Sequence, residues 1–343
     1  MFESMNATTE LLRMLGSPFV KKTSLILERT KIVELCSYSK NNRILLFYLE
    51  KIIKNNPHLF STLHQKENVR YWTTLDAIAK ASQALTDSRI PYVVFKTIRP
   101  YKSATVDIDI LIFGEKNNYV KAVDEMQKVG NKLVVRGPRS TTLLDQKANM
   151  GIDLYEQVAA GFIIYVDKQT LKPHISNTIM ENGICVSVLD CEADLLCLIA
   201  HSMIKEQMYT LSEYFTFIYY LKKLNIEDFL KLVQQNNLSC ATRTHATITA
   251  LLHKVAHGTV PKKLQEILFS LGEDKFEAAR IIEKKLVTPH KYHPITIAKS
   301  LLEITKGKRT RESIATQLFH MLDLKFSKDF ASKLINHVLR ETY

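Results

Sequence analysis

The sequence predicts an α+β fold, with short β-type runs gathered in the middle of the chain and helical segments on both sides of them. Two observations carry this. Apolar residues alternate in short stretches between Tyr92 and Val188, and on both flanks they recur at helical spacing over longer stretches. A third observation, the Asp-Ile-Asp run at Asp107 to Asp109 inside one of the predicted strands, marks where chemistry would sit.

The N-terminal part reads as helices over Glu10–Leu15, Leu25–Cys36 and Arg43–Ile53, separated by Gly16-Ser17-Pro18 and by Ser37 to Asn42. A longer helix follows Pro57 or Asn68, passes through Trp72, Leu75, Ile78 and Leu85, and ends near Ser88 before Ile90-Pro91. Strands are predicted at Tyr92–Phe95, Val106–Phe113, Lys132–Val135 and Gly151–Tyr155, with a helix over Asn117–Val129. Phe162–Val166 and Ile184–Val188 extend the sheet or lead out of it, and no strand is predicted beyond Glu192. The remainder reads as helices around 193–206, 211–224, 226–235, 241–257, 262–271, 275–285, 295–304 and 311–322. The expected organisation is a helical N-terminal cap (1–69), a central core (70–190) and a helical C-terminal domain (191–343).

With 343 residues the chain has ample material for buried cores without covalent staples. The five cysteines are scattered, without the paired short spacing of a zinc ribbon or redox dithiol, and read as reduced core thiols. Residues 1–10 lack a basic segment followed by an apolar run, and no apolar stretch reaches bilayer-spanning length, so the expectation is a soluble, cytoplasmic protein without a membrane partner. Lys and Arg number 47 against 35 Asp and Glu, a net charge of +12, which points to a polyanionic partner.

Residues two apart in a strand share a face, so Asp107 and Asp109 project side by side while Val106, Ile108 and Ile110 pack behind them. Adjacent carboxylates repel unless a cation neutralises them, and an all-oxygen site suits magnesium, with manganese able to replace it. A third acid would complete a metal site for phosphoryl chemistry on a nucleoside triphosphate. Asp153, in the apolar-flanked run Gly151-Ile152-Asp153-Leu154-Tyr155, is the candidate, with Glu156 as the alternative.

The run Ile90-Pro91-Tyr92-Val93-Val94-Phe95-Lys96, the loop with Arg99-Pro100 and the run Asp107-Ile108-Asp109-Ile110-Leu111-Ile112 resemble the uncharacterised nucleotidyltransferases of the polymerase-beta-like superfamily. Abortive-infection and MenT-type toxin transferases are among its relatives. Asp190 to His201 resembles the helix that follows the core in those families, and the likeness spans residues 70 to 225. It implies a polymerase-beta-like core, a magnesium site at Asp107, Asp109 and Asp153, a nucleoside triphosphate substrate, and an RNA or DNA acceptor, with transfer RNA as one case.

The superfamily usually has Gly-Gly or Gly-Ser after the first strand, and here Lys96-Thr97 stands in its place. In this setting Thr97 offers a hydroxyl and an N–H, and Lys96, Arg99 and Lys102 offer positive charge to the triphosphate, Lys96 alternatively forming an ion pair with the aspartates. The departure also leaves open a catalytically silent nucleotide- or RNA-binding module with the same fold.

His201, in an apolar helical run, reads as a core histidine with a hydrogen-bonded partner. His253 and His257 share a helix face, but Lys254 stands where a zincin needs glutamate, which excludes that chemistry. Lys306, Lys308, Arg309 and Arg311 fall on a short predicted loop, either gripping nucleic-acid phosphates or serving as a solvated connector.

Overall fold

The structure is a computed structural model and describes residues 6–20, 28–55, 58–323 and 327–328. Three helices come first: α1 (Ala7–Leu15), α2 (Arg29–Asn41) and α3 (Leu45–Asn55). Asn6 starts α1, its side-chain oxygen accepting from the Thr9 N–H at 2.9 Å, which satisfies one of the otherwise unpaired donors of the first turn. The break expected at Ser37 to Asn42 is narrowed to 42–44: α2 continues to Asn41 before α3 begins, and Ser39 turns its hydroxyl back to the Cys36 carbonyl at 2.7 Å instead of breaking the helix. Residues 21–27, where the second helix was expected to begin, lie outside the described residues. The long helix is α4 (Ser61–Asp87), which ends where predicted.

The strands and helices of the middle then follow as β1 (Tyr92–Val94), β2 (Asp107–Ile112), α5 (Lys116–Lys128), β3 (Asn131–Arg136), β4 (Ser140–Asp145) and β5 (Met150–Tyr155). Next come β6 (Val158–Ala160), β7 (Ile163–Val166), α6 (Lys168–Leu171), β8 (Ile175–Ile179) and β9 (Cys185–Leu189). Seven of these strands form one mixed sheet in the order β3-β4-β5-β2-β1-β9-β8. The pairs β5/β2 and β1/β9 run parallel and the others antiparallel. The Phe162–Val166 run does not extend this sheet, because β7 pairs with β6 in a separate two-stranded ribbon.

Beyond the sheet lie α7 (Cys191–Ala200), continued by a π-helical turn at His201–Glu206, then β10 (Met208–Tyr209) and α8 (Leu211–Tyr220). The chain continues through α9 (Ile226–Gln235), α10 (Ser239–His257), α11 (Lys262–Leu271) and α12 (Lys275–Glu283). It closes with β11 (His290–Lys291), α13 (Pro294–Ile304) and α14 (Lys308–His320). Strand pairing therefore does not stop at Glu192: β10 and β11 join antiparallel across the C-terminal helices.

The sheet separates two apolar cores. On one side Tyr92, Val94, Ile108, Ile110, Ile112, Ile152 and Leu154 pack with Leu75, Ile78 and Leu85 of α4 and Val123 and Met126 of α5. On the other, Val93, Phe95, Leu111, Phe113 and Tyr155 join a larger core that takes in α1, α3, α7, α8 and α10. Burying each of Ile108, Ile110 and Ile112 contributes about 1.5–3 kcal/mol relative to exposure, and a one-residue slip would turn all three outward. Their burial thus fixes the face that receives the alternate residues of β2. Val106 does not take part; it is 77% exposed, outside the strand.

Cys36, Cys197 and Cys240 are buried thiols as expected, whereas Cys185 is exposed on the sheet and Cys191 is half-buried. Among the described residues no helix is long and apolar enough to cross a membrane.

One buried cation locks the ends of β2 and β5. Lys168 Nζ donates to the carbonyls of Ile112 at 3.2 Å, Gly114 at 3.1 Å and Glu156 at 2.9 Å. Lys168→Met is expected to lower stability by about 3 kcal/mol, because three carbonyls lose a charged donor. Urea denaturation measures this, and a loss below about 1 kcal/mol would mean that the carbonyls find other partners.

Candidate functional site: an acid cluster on adjacent strands

The site begins where β1 ends. Phe95 still donates its N–H to the Asp109 carbonyl at 3.1 Å, and the chain then turns at Lys96 with φ 58°. A non-glycine residue in that left-handed region costs about 1 kcal/mol. The Lys96 N–H recovers it by donating to the buried Asp194 Oδ1 of α7 at 2.6 Å, while Asp194 Oδ2 accepts from the Tyr220 hydroxyl at 2.8 Å. Thr97 Oγ1 accepts from the Asp109 N–H at 2.9 Å and donates to the Phe95 carbonyl at 3.3 Å. Its hydroxyl is therefore spent on stitching the turn to β2, a different use from the phosphate contact considered above.

Parallel pairing of β2 with β5 sets Asp107 opposite Gly151 and Asp109 directly opposite Asp153. All three acids share the face of Leu111 and Tyr155, and each offers a carboxylate oxygen such that the three lie within 4.8 Å of one another. Glu156 is elsewhere, paired with Arg139 at 3.2 Å, so Asp153 is the third member. Thr142 of β4 donates to Asp153 Oδ1 at 2.6 Å and orients it.

The electrostatics follow from this crowding. Asp107, at the rim, has its carboxyl pushed up to about 6, by desolvation first and then by the charges of Asp109 and Asp153. Asp153 is also raised, through burial and the Asp109 charge against the Thr142 bond. Asp109 is the most enclosed; burial alone would raise it, but Lys96, His201 and Lys205 together hold it below the usual carboxylate range. Three carboxylates converging without a sulfur or nitrogen ligand match a hard divalent cation such as magnesium or manganese, so the residues present fit that ion.

The facing wall comes from the π-helical turn. Its i to i+5 spacing puts His201 above Glu206, with Nε2 and Oε1 3.0 Å apart. Burial first, then the Lys96 charge, pushes the His201 imidazole down to about 3. The ring is therefore neutral near pH 7: Nε2–H donates to Glu206 and Nδ1 accepts from Lys96 Nζ at 3.0 Å. His201 is the hydrogen-bonded core histidine that its apolar setting suggests. Lys205, on the same turn, donates to the Tyr155 hydroxyl at 3.1 Å beside the acids.

The other sequence-predicted residues are dispersed. Lys96 Nζ lies 3.4 Å from Asp109 Oδ2, the ion-pair alternative. Arg99 is half-buried beside Asp194 and Glu213, and its Nη1 is buried without a hydrogen bond. Lys102 pairs with Glu181 at 3.5 Å and lies over Tyr71 and Trp72, with 5.5 and 5.9 Å to the ring centroids. The basic run is not a loop: α14 starts at Lys308, so Lys308, Arg309 and Arg311 sit in its first turn. Arg309 binds Asp167 Oδ1 at 2.7 Å, Lys308 lies 4.0 Å from Glu312, and Arg311 donates to the carbonyls of Lys306 and Thr305, closing the end of α13. Sequence spacing left out Thr142, Asp194 and Lys205. Asp194 had the clearest signal, as an acid inside an apolar helix, a position that demands a partner.

No protein-family model and no curated protein matches the chain. Among solved structures it is similar to the STING-associated CdnE c-di-GMP synthase from Capnocytophaga granulosa, at 13% identity and TM-score 0.31, over 74% of this chain and 99% of that one. It is also similar to an antigenic nucleotidyltransferase-like protein from Paracoccidioides brasiliensis, at 12% identity and TM-score 0.29, over 66% of this chain and 96% of that one. Likenesses this distant bear no weight for the function, which is read from the acid cluster itself.

A carboxyl whose folded value is about 6, against an ordinary 3.8, holds its proton more tightly folded than unfolded. Without divalent ions, this group's contribution is most favourable below the unfolded value and is lost as pH rises through the folded one. The Tm of Asp107→Asn minus that of the unmodified protein, measured in EDTA, is expected to grow between about pH 4 and pH 7. A difference that stays flat across that range would contradict the raised Asp107 carboxyl, and with it the burial and the neighbouring acid charges that raise it.

Proposed function

We propose that this chain is a magnesium-dependent nucleotidyltransferase that moves a nucleoside monophosphate from a nucleoside triphosphate to an RNA or DNA end. The observation that carries this reading is the convergence of Asp107, Asp109 and Asp153 on one sheet face within 4.8 Å. The proposed organisation places this chemistry in residues 70–190, between an N-terminal part, 1–69, and a C-terminal part, 191–343. Asp107, Asp109 and Asp153 would hold the metal. When bound, magnesium supplies the positive charge that draws triphosphate oxygens to the cluster and eases ionisation of the acceptor hydroxyl.

The chain's own groups account for the rest. The acceptor oxygen bonds to the α-phosphorus, the bond from that phosphorus to the bridging oxygen breaks, and pyrophosphate leaves. The hydroxyl proton departs by way of the carboxylate cluster. Lys205, on the facing wall and 3.1 Å from the Tyr155 hydroxyl, adds fixed positive charge beside the phosphates. A net charge of +12 favours a nucleic-acid acceptor over a neutral one, with Lys306 and the first turn of α14 as the proposed contact.

One observation favours a second reading. Lys96 already pairs with Asp109, and the Thr97 hydroxyl is engaged within the turn, as suits a module that binds nucleotide without turnover.

Incubation with each radiolabelled nucleoside triphosphate, magnesium and total RNA separates the two. Label entering RNA with the unmodified protein, and falling to background in Asp107→Ala/Asp109→Ala, is the expected result. Magnesium-dependent nucleotide binding with no label in RNA, protein or small-molecule fractions would establish the silent module instead.

A further inference from the structure

The acid cluster already contains a cation of its own. Lys96 Nζ lies 3.4 Å from Asp109 Oδ2, and the Lys96 side chain is 3% exposed. Burying an ammonium group is costly unless it is paired and its protons are bonded. Here the fold supplies both. His201 Nδ1 accepts from Nζ at 3.0 Å, and the Phe95 and Tyr155 rings lie beneath it with centroids at 4.7 and 5.3 Å. Behind the imidazole stands Glu206, 3.0 Å from Nε2, and Arg43 approaches Glu206 at 3.5 Å. The backbone of Lys96 is pinned as well, by Asp194, in the conformation at φ 58° that sends the side chain inward.

This is a built position for a positive charge, assembled from β1, β2, α7 and the π-helical turn, and no step of the proposed transfer has required it. We infer that Lys96 is a resident cation of the acid cluster that takes the neutralising place of a second metal ion, so that the site accepts a single divalent ion, held by Asp107, Asp153 and the remaining oxygen of Asp109. The inference rests on the proposed metal centre. Three carboxylates against the ammonium groups of Lys96 and Lys205 leave one net negative charge, which one divalent ion converts to a positive one facing the triphosphate. A second ion would have to share Asp109 with an ammonium that is buried and bonded to His201 Nδ1. Lys96 acts through Asp109 and is thus a positioning residue.

The test counts metal rather than product. The full chain is titrated with Mn2+ in the presence of a non-hydrolysable nucleoside triphosphate analogue, and bound ions are counted by electron paramagnetic resonance. One ion per chain is expected. Two per chain overturns the inference and leaves metal-dependent transfer standing, whereas none removes the metal centre and the inference together. Lys96→Met, checked for folding by circular dichroism, is expected to bind Mn2+ at least about tenfold more tightly, since the acids lose their internal counterion. Lys96→Arg is expected to stay near the unmodified affinity. Unchanged affinity in a folded Lys96→Met overturns the inference, and if that variant does not fold, the count on the unmodified chain decides.

Discussion

The in-register parallel pairing of β2 with β5 brings Asp109 against Asp153, and most of what surrounds the site answers the repulsion this creates. The pairing is held by apolar burial on the far face, where Ile108, Ile110, Ile152 and Leu154 pack under α4 and α5. Strand alternation then leaves the acids no choice of side. Hydrophobic burial thus forces like charges together, and the neighbouring elements supply what tolerates them. Thr142 bonds Asp153, Lys96 pairs with Asp109, and Lys205 adds a second ammonium group from across the cleft. Only Asp107, at the rim, is left to meet its neighbours without a bonded partner of its own, and its carboxyl responds most strongly.

The same arrangement ties the sheet to the C-terminal helices. Asp194 reaches from α7 to the Lys96 N–H, and the turn that follows α7 carries His201, Lys205 and Glu206. The larger core runs without interruption from α1 through the sheet face to α10. The groups that set the charge of the site are therefore anchored in the same apolar mass that stabilises the molecule.

Much of this was legible in the amino-acid order. Period-two alternation located β2 and β5, the apolar flanks of Asp107, Asp109 and Asp153 placed them on strands, and the long amphipathic stretch before Ile90-Pro91 gave α4. Strand β4 was hidden because its buried face is Thr141, Leu143 and Asp145, in which two polar side chains break the apolar alternation while satisfying Tyr119 and Lys80. Strand β8 lies at the sheet edge with little buried surface, so its sequence carries a weak pattern. The left-handed turn at Lys96 was unreadable because lysine gives no sign of positive φ. The basic run looked like a loop because four cations crowd a helix N-terminus, a placement the helix dipole disfavours and the Arg309–Asp167 pair offsets.

The wide turn at His201–Glu206 has an arithmetic consequence. It holds one residue more than an α-helical turn, so a heptad or 3.6-residue pattern carried past Ala200 falls out of phase by one position. Deleting a single residue between His201 and Glu206 would let the segment close as a regular α-helical turn, with those two side chains at i and i+4 spacing and still on one face. The extra residue of this turn thus goes into the segment between His201 and Glu206, and it is there that chain length decides which side chains meet the acids.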